Sequence, residues 1–261
     1  MLSLRNVTTT RRALPPRVLI YGPPGLGKTS LAAEFPAPVF LDVEQGLPAG
    51  VDAATFGEVT SYDDLMSAIA SLYDDDHEFG TIVVDTLDRL EPLVWAKACA
   101  DNRWDSIEAP GYGKGYVTAD RYWRDMLEGL NALRKDRGMA VVMIAHSTIT
   151  NFDSPTSAPY SRYDIRLHKR ASAIVQDEVD AILFVNQDAT IVEEKQGKDV
   201  KSRHATGGGT RWIHCEGRPA WCAKNRFGMP DKIRYQIGTG FSSLAPFFNP
   251  QPAAETRAAA E

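Results

Sequence analysis

The fold of this chain is constrained most by one ten-residue run near its amino terminus, Tyr21-Gly22-Pro23-Pro24-Gly25-Leu26-Gly27-Lys28-Thr29-Ser30. The run fits the pattern G-x-x-x-x-G-K-[ST] without a mismatch. A short apolar strand is predicted before it, over residues 17–21, and a helix after it, from Thr29 to Glu34. Backbone N–H groups in such a strand, loop and helix make a cradle of positive partial charge for phosphates. The run therefore predicts binding of a nucleoside triphosphate, and the alternative is a chance Gly/Pro turn.

Two side chains of this run have predictable roles. Lys28 would reach the β- and γ-phosphates, and the Thr29 hydroxyl would occupy one position on Mg²⁺. The full set of predicted nucleotide-binding residues is Gly22, Pro23, Pro24, Gly25, Leu26, Gly27, Lys28, Thr29 and Ser30.

Length, cysteine count and charge bound the remaining possibilities. The 261 residues suit one α/β domain with extensions, or one large and one small lobe. No apolar run approaches the roughly 18 residues that span a bilayer, and three scattered cysteines are too few for a disulfide scaffold. We therefore expect no membrane partner and a cytoplasmic location.

The charge of the chain is unevenly distributed. Residues 195–234 contain ten Lys or Arg and three Asp or Glu, a local charge of +7, within a chain of net charge −5. A basic segment on an acidic body is typical of a polyanion-binding face. A solvated face that balances an acidic patch is the alternative.

Alternating strands and helices indicate the fold class. Strands are predicted at residues 17–21, 38–43, 81–85, 139–145 and 181–185, and helices at 29–34, 61–73, 86–100, 119–137 and 169–176. Ser61 is predicted to cap the second helix, because Asp64 follows three residues later. The pattern predicts an α/β fold, a mostly parallel sheet with helices on both faces, followed by a β-rich carboxyl-terminal extension.

The chain divides into an arm, a core and a tail. We predict an amino-terminal arm over 1–16, an ATPase core over 17–238 and a flexible tail over 239–261. Two segments of the core, about 102–118 and 147–170, are predicted to be loops.

The phosphate loop by itself resembles that of the AAA+ family, but other positions depart from that family. AAA+ proteins carry Glu directly after the Asp that ends the third strand, whereas Thr86 follows Asp85 here. Their sensor strand usually ends in Asn, whereas this one ends in His146, and no helical lid with a sensor arginine is recognisable. These departures set the AAA+ family aside at the sequence level.

The same positions resemble the RecA-like P-loop NTPase core. In that family a Glu beyond the second strand positions the attacking water, and Glu44 in Phe40-Leu41-Asp42-Val43-Glu44 matches it. The family's magnesium-associated Asp ends the third strand, as Asp85 does, and is expected to act through water. A polar residue ends the fourth strand and senses the γ-phosphate, the place of His146 here. The resemblance implies an ATPase with ATP and Mg²⁺ as cofactors.

A further match lies in the run Lys224-Asn225-Arg226-Phe227-Gly228. RecA-like rings and filaments carry a Lys-x-Lys or Lys-x-Arg pair that reaches the ATP site of the neighbouring subunit, so Lys224 and Arg226 are predicted to act there in trans. The compact core most resembles the phage-encoded, AAA-type single-strand annealing and recombination proteins of the Sak group. That resemblance implies single-stranded DNA, a homo-oligomeric ring or filament, and a single-strand-binding protein as partners.

Aromatic and cationic residues interleave in both predicted loops and favour contact with single-stranded DNA. They are Tyr112, Lys114, Tyr116, Tyr160, Arg162, Tyr163, Arg166, His168, Lys169 and Arg170. Each candidate also has a structural alternative: a plain mobile loop for residues 111–116, a surface carboxylate for Glu44, a core histidine for His146, and solvated cations for Lys224 and Arg226. The leading hypothesis is a DNA-stimulated ATPase that anneals or exchanges strands. A regulatory or scaffold nucleotide-binding protein that acts on a protein partner is the second hypothesis, and a small-molecule kinase is the third.

Overall fold

The computed structural model describes residues 14–51, 53–154, 158–188, 190–196, 199–206 and 209–248. Its strands are β1 Arg17–Gly22, β2 Pro38–Asp42, β3 Ala54–Glu58, β4 Thr81–Asp85, β5 Ala140–Phe152, β6 Tyr160–Ile165, β7 Ala181–Gln187, β8 Thr190–Gln196, β9 Asp199–Thr206, β10 Arg211–His214, β11 Lys224–Asn225 and β12 Lys232–Tyr235. Its helices are α1 Lys28–Ala33, α2 Tyr62–Asp74, α3 Leu87–Asn102, α4 Lys114–Asp136, α5 Lys169–Glu178 and α6 Gly240–Phe248. The predicted arm lies outside the described residues up to residue 13, and the predicted tail from residue 249 onward.

One large sheet forms the centre of the fold, with the strand order β12-β10-β7-β1-β5-β4-β2-β3. Strands β7, β1, β5, β4, β2 and β3 pair in parallel. Strands β10 and β11 pair antiparallel to β7, and β12 pairs antiparallel to β10. The prediction of a mostly parallel sheet with a β-rich carboxyl-terminal extension is therefore confirmed. Because β5 lies between β1 and β4, the end of its parallel part, at His146, lies between the phosphate loop and Asp85.

Helices cover both faces of this sheet, as the sequence predicts. On one face, α2 to α5 bury side chains such as Leu90 and Trp123 against the strands. On the other face, α1 and α6 bury Leu31 and Leu244. A parallel strand covered on both faces needs an apolar run rather than an alternating pattern, and β4 is buried at all five positions.

The start of α2 confirms the cap predicted from sequence. The Ser61 side chain accepts a hydrogen bond from the backbone N–H of Asp64 at 3.0 Å. The Asp64 carboxylate in turn accepts bonds from the backbone N–H and the hydroxyl of Thr60. This reciprocal arrangement satisfies donors that the first helical turn leaves unpaired.

The predicted loop at 147–170 is largely regular structure. Strand β5 continues to Phe152 and pairs antiparallel with β6, in a register that sets Ser147 opposite Ile165 and Phe152 opposite Tyr160. The β-branched run Thr148-Ile149-Thr150 suits a pleated strand, which the polar composition of the segment obscured. The end of the segment, from Lys169, belongs to α5. We call residues 147–152 and 160–165 together the β5–β6 hairpin.

The predicted loop at 102–118 is shorter than expected, because α4 begins at Lys114. Three consecutive residues, Gly111, Tyr112 and Gly113, have positive φ angles and turn the chain into that helix. Tyr116 lies in the first turn of α4, stacked on His168 with 4.1 Å between ring centroids. It also meets the Trp95 ring edge-on at 5.5 Å, so the prediction of a loop tyrosine free to stack on nucleobases is wrong for Tyr116.

Residues 240–248 correct the predicted flexible tail, because they form helix α6. Its apolar side chains pack on α1 and on Phe35, whose ring lies 4.6 Å from that of Phe241 and 6.0 Å from that of Phe248. The periodic apolar positions of this short segment bury one face of the helix.

Candidate functional site

The phosphate loop connects β1 to α1 at the carboxyl edge of the parallel strands. Gly25 and Gly27 have φ angles of 76° and 87°, in the left-handed region that favours glycine. A Cβ atom on Gly22 would lie 2.1 Å from the carbonyl oxygen of Val185, so the loop passes too close to β7 for any side chain there. The glycines thus allow consecutive backbone N–H groups to line an anion-binding concavity.

Lys28 lies beneath this loop. Its side chain is buried, and its Nζ donates a hydrogen bond to the carbonyl oxygen of Pro23 at 3.0 Å. Burial lowers the pKa of Lys28, while the nearby carboxylates of Asp85, Asp88 and Glu44 act to raise it. The ammonium group is therefore held within the loop among three acidic groups, where an incoming phosphate would compete for it.

Thr29 and Asp85 form the part of the site that fits a metal ion. The Thr29 hydroxyl donates to Oδ2 of Asp85 at 2.7 Å. The other carboxylate oxygen, Oδ1, is buried without a hydrogen-bond partner among the described residues. Burial raises the pKa of Asp85 to about 6, and the charges of Glu44 and Asp42 add to this shift. A hydroxyl and an unpaired carboxylate oxygen are the ligand types that Mg²⁺ takes, so these residues fit the predicted metal.

Glu44 lies in the turn that follows β2. Oδ1 of Asp42 accepts the backbone N–H groups of Gln45 at 2.7 Å and Gly46 at 3.4 Å, which closes the turn. The backbone N–H groups of Val43 and Glu44 donate to the carbonyl oxygen of Asp85, at 2.8 and 3.3 Å. The turn is thereby fixed to the end of β4.

A cavity of about 340 Å³ brings most of the predicted site residues together. Its lining residues are Pro24, Gly25, Gly27, Lys28, Thr29, Glu44, Gly46, Pro48, Asp85, Thr86, Ile144 and His146. The phosphate loop forms one wall, and the strand ends that carry Glu44, Asp85 and His146 form the other. A larger cavity of about 500 Å³ lies away from this site, between α4 and α5.

His146 does not end its strand, as the sequence predicted, but lies within β5 where the parallel pairing with β1 ends. Two residues hold it there. Its ring Nδ1 lies 3.2 Å from both carboxylate oxygens of Asp88, and its backbone N–H donates to Oδ1 at 2.9 Å. Arg166 donates to the same carboxylate, and its NH2 group lies 3.3 Å from Nδ1 of His146. Burial acts to raise the pKa of Asp88, but the hydrogen bonds from His146 and Arg166 outweigh it and hold that pKa well below its usual range.

Asp88 is a site residue that the sequence pattern alone does not predict. Its contact with His146 joins positions 58 residues apart, which no local motif encodes. The available signal was an acidic residue in the first turn of the helix that follows Asp85.

Lys224 and Arg226 lie outside this cavity, near the amino edge of the parallel strands. Strand β11 pairs Lys224 with Ile182 at the start of β7. The Lys224 ammonium donates to the carbonyl oxygens of Gln176 and Asp177 at the end of α5. Arg226 is 56 % exposed and lies 3.5 Å from Asp180. Their predicted role in ATP hydrolysis therefore requires the site of a second copy of the chain.

Several predicted DNA-contacting side chains already have partners within the chain. Arg170 pairs with Asp120, and the Tyr163 ring packs on Phe184 at 5.2 Å. Tyr112, in contrast, is fully exposed.

The fold and the site together define a P-loop nucleoside triphosphatase. A glycine loop joins a buried strand to a helix, a buried lysine lies beneath the loop, and a threonine–aspartate pair links that helix to the end of β4. More specifically, the chain belongs to the AAA domain family, whose model matches residues 14–227. The match confirms an AAA-type P-loop ATPase domain and gives no support to the reasoning that set the AAA+ family aside on Thr86 and His146.

No curated protein matches this sequence. Within the described ranges, none of the helices has both the length and the apolar character needed to cross a membrane.

Proposed function

We propose that this chain is a RecA-like ATPase that binds single-stranded DNA and promotes annealing or strand exchange in phage homologous recombination. The AAA-type domain and the nucleotide site support the ATPase part. The sequence resemblance to Sak-group proteins supports the DNA part.

The residues of the cavity fit the steps of ATP hydrolysis. The phosphate loop and Lys28 would bind the phosphates, and Thr29 and Asp85 would hold Mg²⁺, which would neutralise charge on the phosphate oxygens. Glu44 orients the attacking water, and His146 contacts the terminal phosphate at the end of the cavity opposite the loop.

The observation that carries the DNA part of the proposal is the contact of Arg166 with both His146 and Asp88. Arg166 follows the last residue of β6, and its backbone N–H donates to the carbonyl oxygen of His146 at 2.9 Å. A change in the position of His146 on contact with phosphate therefore acts directly on the base of the β5–β6 hairpin. ATP binding could thereby change the conformation of the β5–β6 hairpin, which lies outside the nucleotide site.

The same surface carries exposed groups suited to nucleobases. Ile149 is 64 % exposed on the β5–β6 hairpin, and the guanidinium of Arg162 lies 4.8 Å from the centre of the Phe152 ring. Tyr112 is exposed at the turn before α4, whose first turn contacts His168. Aromatic rings beside cations bind single strands with little dependence on sequence. Both segments lie toward the carboxyl edge of the sheet, where the nucleotide site also lies.

A second candidate function is a regulatory ATPase that acts on a protein partner. The exposed apolar side chains of Ile149 and Phe152 favour it, because they would suit a protein surface as well as nucleobases.

ATP hydrolysis measured with and without single-stranded DNA, across a protein concentration series, tests the proposal. We expect turnover to rise with DNA and to rise more steeply than linearly with protein. The Glu44→Gln chain serves as the control, since it should bind ATP without turning it over. Turnover that is linear in protein and indifferent to DNA would favour the regulatory function. Oligonucleotide binding that weakens steeply with salt would support phosphate contacts.

A further inference from the structure

The cavity described above suits the phosphates of a nucleotide and leaves the base without a partner. Apart from prolines and Ile144, its lining consists of glycines and polar or charged residues. A bound base requires an apolar surface, because nucleotide pockets place aromatic rings against hydrophobic side chains.

An exposed apolar side chain lies immediately outside the phosphate loop. Ile237 is 48 % exposed, and its Cγ1 and Cδ1 atoms lie 3.2 Å from the position that a Cβ atom on Gly27 would occupy. The other large exposed apolar side chains among the described residues are Phe56, Tyr73, Tyr112, Val117, Ile149 and Phe152. None of them lines the nucleotide cavity or contacts the phosphate loop through the bonds and packing described above. A single exposed isoleucine is ordinary on a protein surface. A role for Ile237 therefore requires that its neighbours hold it beside the phosphate loop.

The segment that carries Ile237 is fixed to the phosphate loop and to α1. The hydroxyl of Tyr235, a buried residue, donates to the carbonyl oxygen of Gly27 at 2.6 Å. Glu34, at the end of α1, accepts the backbone N–H of Gly238 at 2.6 Å and that of Phe241 at 2.9 Å. Ile237 therefore lies between two anchored points and keeps its position relative to the loop.

A nucleoside triphosphate has its base and its terminal phosphate at opposite ends, so the orientation of the bound molecule decides which part lies beside Ile237. Glu44, Asp85 and His146 occupy the end of the cavity that suits the terminal phosphate and the metal. The nucleoside must leave at the other end of the phosphate loop, over Gly27 and the first turn of α1. That end is where Ile237 lies.

We propose that Ile237, supported by Tyr235, forms the apolar wall on which the base of the bound nucleotide packs. This inference rests on the nucleotide-binding part of the proposed function and is independent of DNA. Ile237 is thus a binding residue for the nucleoside, distinct from the residues that bind the phosphates.

Binding of ATP and of inorganic triphosphate, each with Mg²⁺ and measured by calorimetry on the full chain, tests the inference. We expect Ile237→Ala and Ile237→Asn to weaken ATP binding about tenfold, since two or three carbons lose contact with the base. Triphosphate binding should stay within about twofold of the native value, because the base is the only group that Ile237 meets. Val117→Ala, a change of an exposed β-branched residue on α4, should alter neither.

Two results would overturn the inference. One is native-like ATP binding by both Ile237 variants. The other is an equal loss of ATP and triphosphate binding, which would mean that Ile237 shapes the phosphate loop instead. If the native chain bound no ATP at all, the proposed function would fail together with the inference, so the two failures are distinguishable.

Discussion

Burial makes the charge of Asp85 energetically costly, because the group lies in the interior with one oxygen unpaired. Its pKa is raised from 3.8 to about 6 in the folded chain. Between these values the folded state binds more protons than the unfolded state, so stability falls as pH rises through this window. Above pH 6 the full penalty applies, about 2–3 kcal/mol for a shift of this size. A bound cation would offset this penalty. Asp85 therefore lowers the stability of the chain without metal in exchange for a metal-binding role.

Asp85→Asn should therefore stabilise the chain while removing its response to the nucleotide. We expect the free energy of unfolding to increase by about 2–3 kcal/mol at pH 8 but by only about 1 kcal/mol at pH 4.5, where the carboxyl of the folded chain is still protonated. Urea denaturation at the two pH values measures this. Mg²⁺-ATP should raise the stability of the native chain but not of the variant. Asp76→Asn, at an exposed position, is the control, and an equal effect of Asp85→Asn at both pH values would contradict the argument.

At the scale of secondary structure, α6 contributes to the hydrophobic core on the face of the sheet that α1 also covers. Leu244 is fully buried there, in the cluster that also contains Leu31 of α1. The first turn of α6 is bonded to the end of α1, because the backbone N–H of Phe241 donates to the carboxylate of Glu34. Helix α6 therefore covers α1, the helix that follows the phosphate loop, and contributes to its packing.

Leu244→Ala should lower the free energy of unfolding by about 2–4 kcal/mol, the usual effect of a cavity in a packed core. A chemical denaturation curve measures this. Ser242→Ala, on the exposed side of α6, should cost less than about 1 kcal/mol, because it loses one surface hydrogen bond. If Leu244→Ala changed stability by less than about 0.5 kcal/mol, as expected for a surface position, the segment would behave as the flexible tail predicted from sequence.

Secondary-structure elements were predicted correctly where the chain has a continuous apolar run or where a motif sets the distance between its glycines, lysine and threonine. The strand ending at Asp85 and the loop at Gly22 to Thr29 were predicted for these reasons. The β5–β6 hairpin was not, because its strands are mostly polar and show no long apolar period. The roles of Asp88 and Ile237 depend on tertiary contacts with His146 and Gly27, so no local pattern indicates them.

For the whole molecule, the two ends of the parallel strands carry different predicted roles. The phosphate loop lies at the carboxyl end of β1, whereas Arg17 at its amino end bonds to Asp180, the partner of Arg226. A strand of six residues separates these ends by roughly 17 Å. Lys224 and Arg226 are thus too far from their own phosphate loop to act on it. A head-to-tail assembly would bring them to the loop of a neighbouring copy.

Mixing two inactive variants tests whether such a composite site exists. Arg226→Ala should keep the fold, because the side chain is half exposed and Asp180 retains Arg17 and Arg134 as partners. It should hydrolyse ATP at least 100-fold more slowly, as expected for loss of a trans-acting cation. Lys28→Ala should also be inactive, since it removes the cation that binds the phosphates.

An equal mixture of the two variants should regain about a quarter of the native ATPase activity, because a quarter of randomly formed head-to-tail interfaces pair an intact phosphate loop with an intact Arg226. Each variant mixed with native chain in the same ratio provides the reference for assembly. Native-like turnover by Arg226→Ala alone would remove this residue from the site. A mixture no more active than its separate components would exclude a composite site in which Arg226 acts on the phosphate loop of a neighbouring copy.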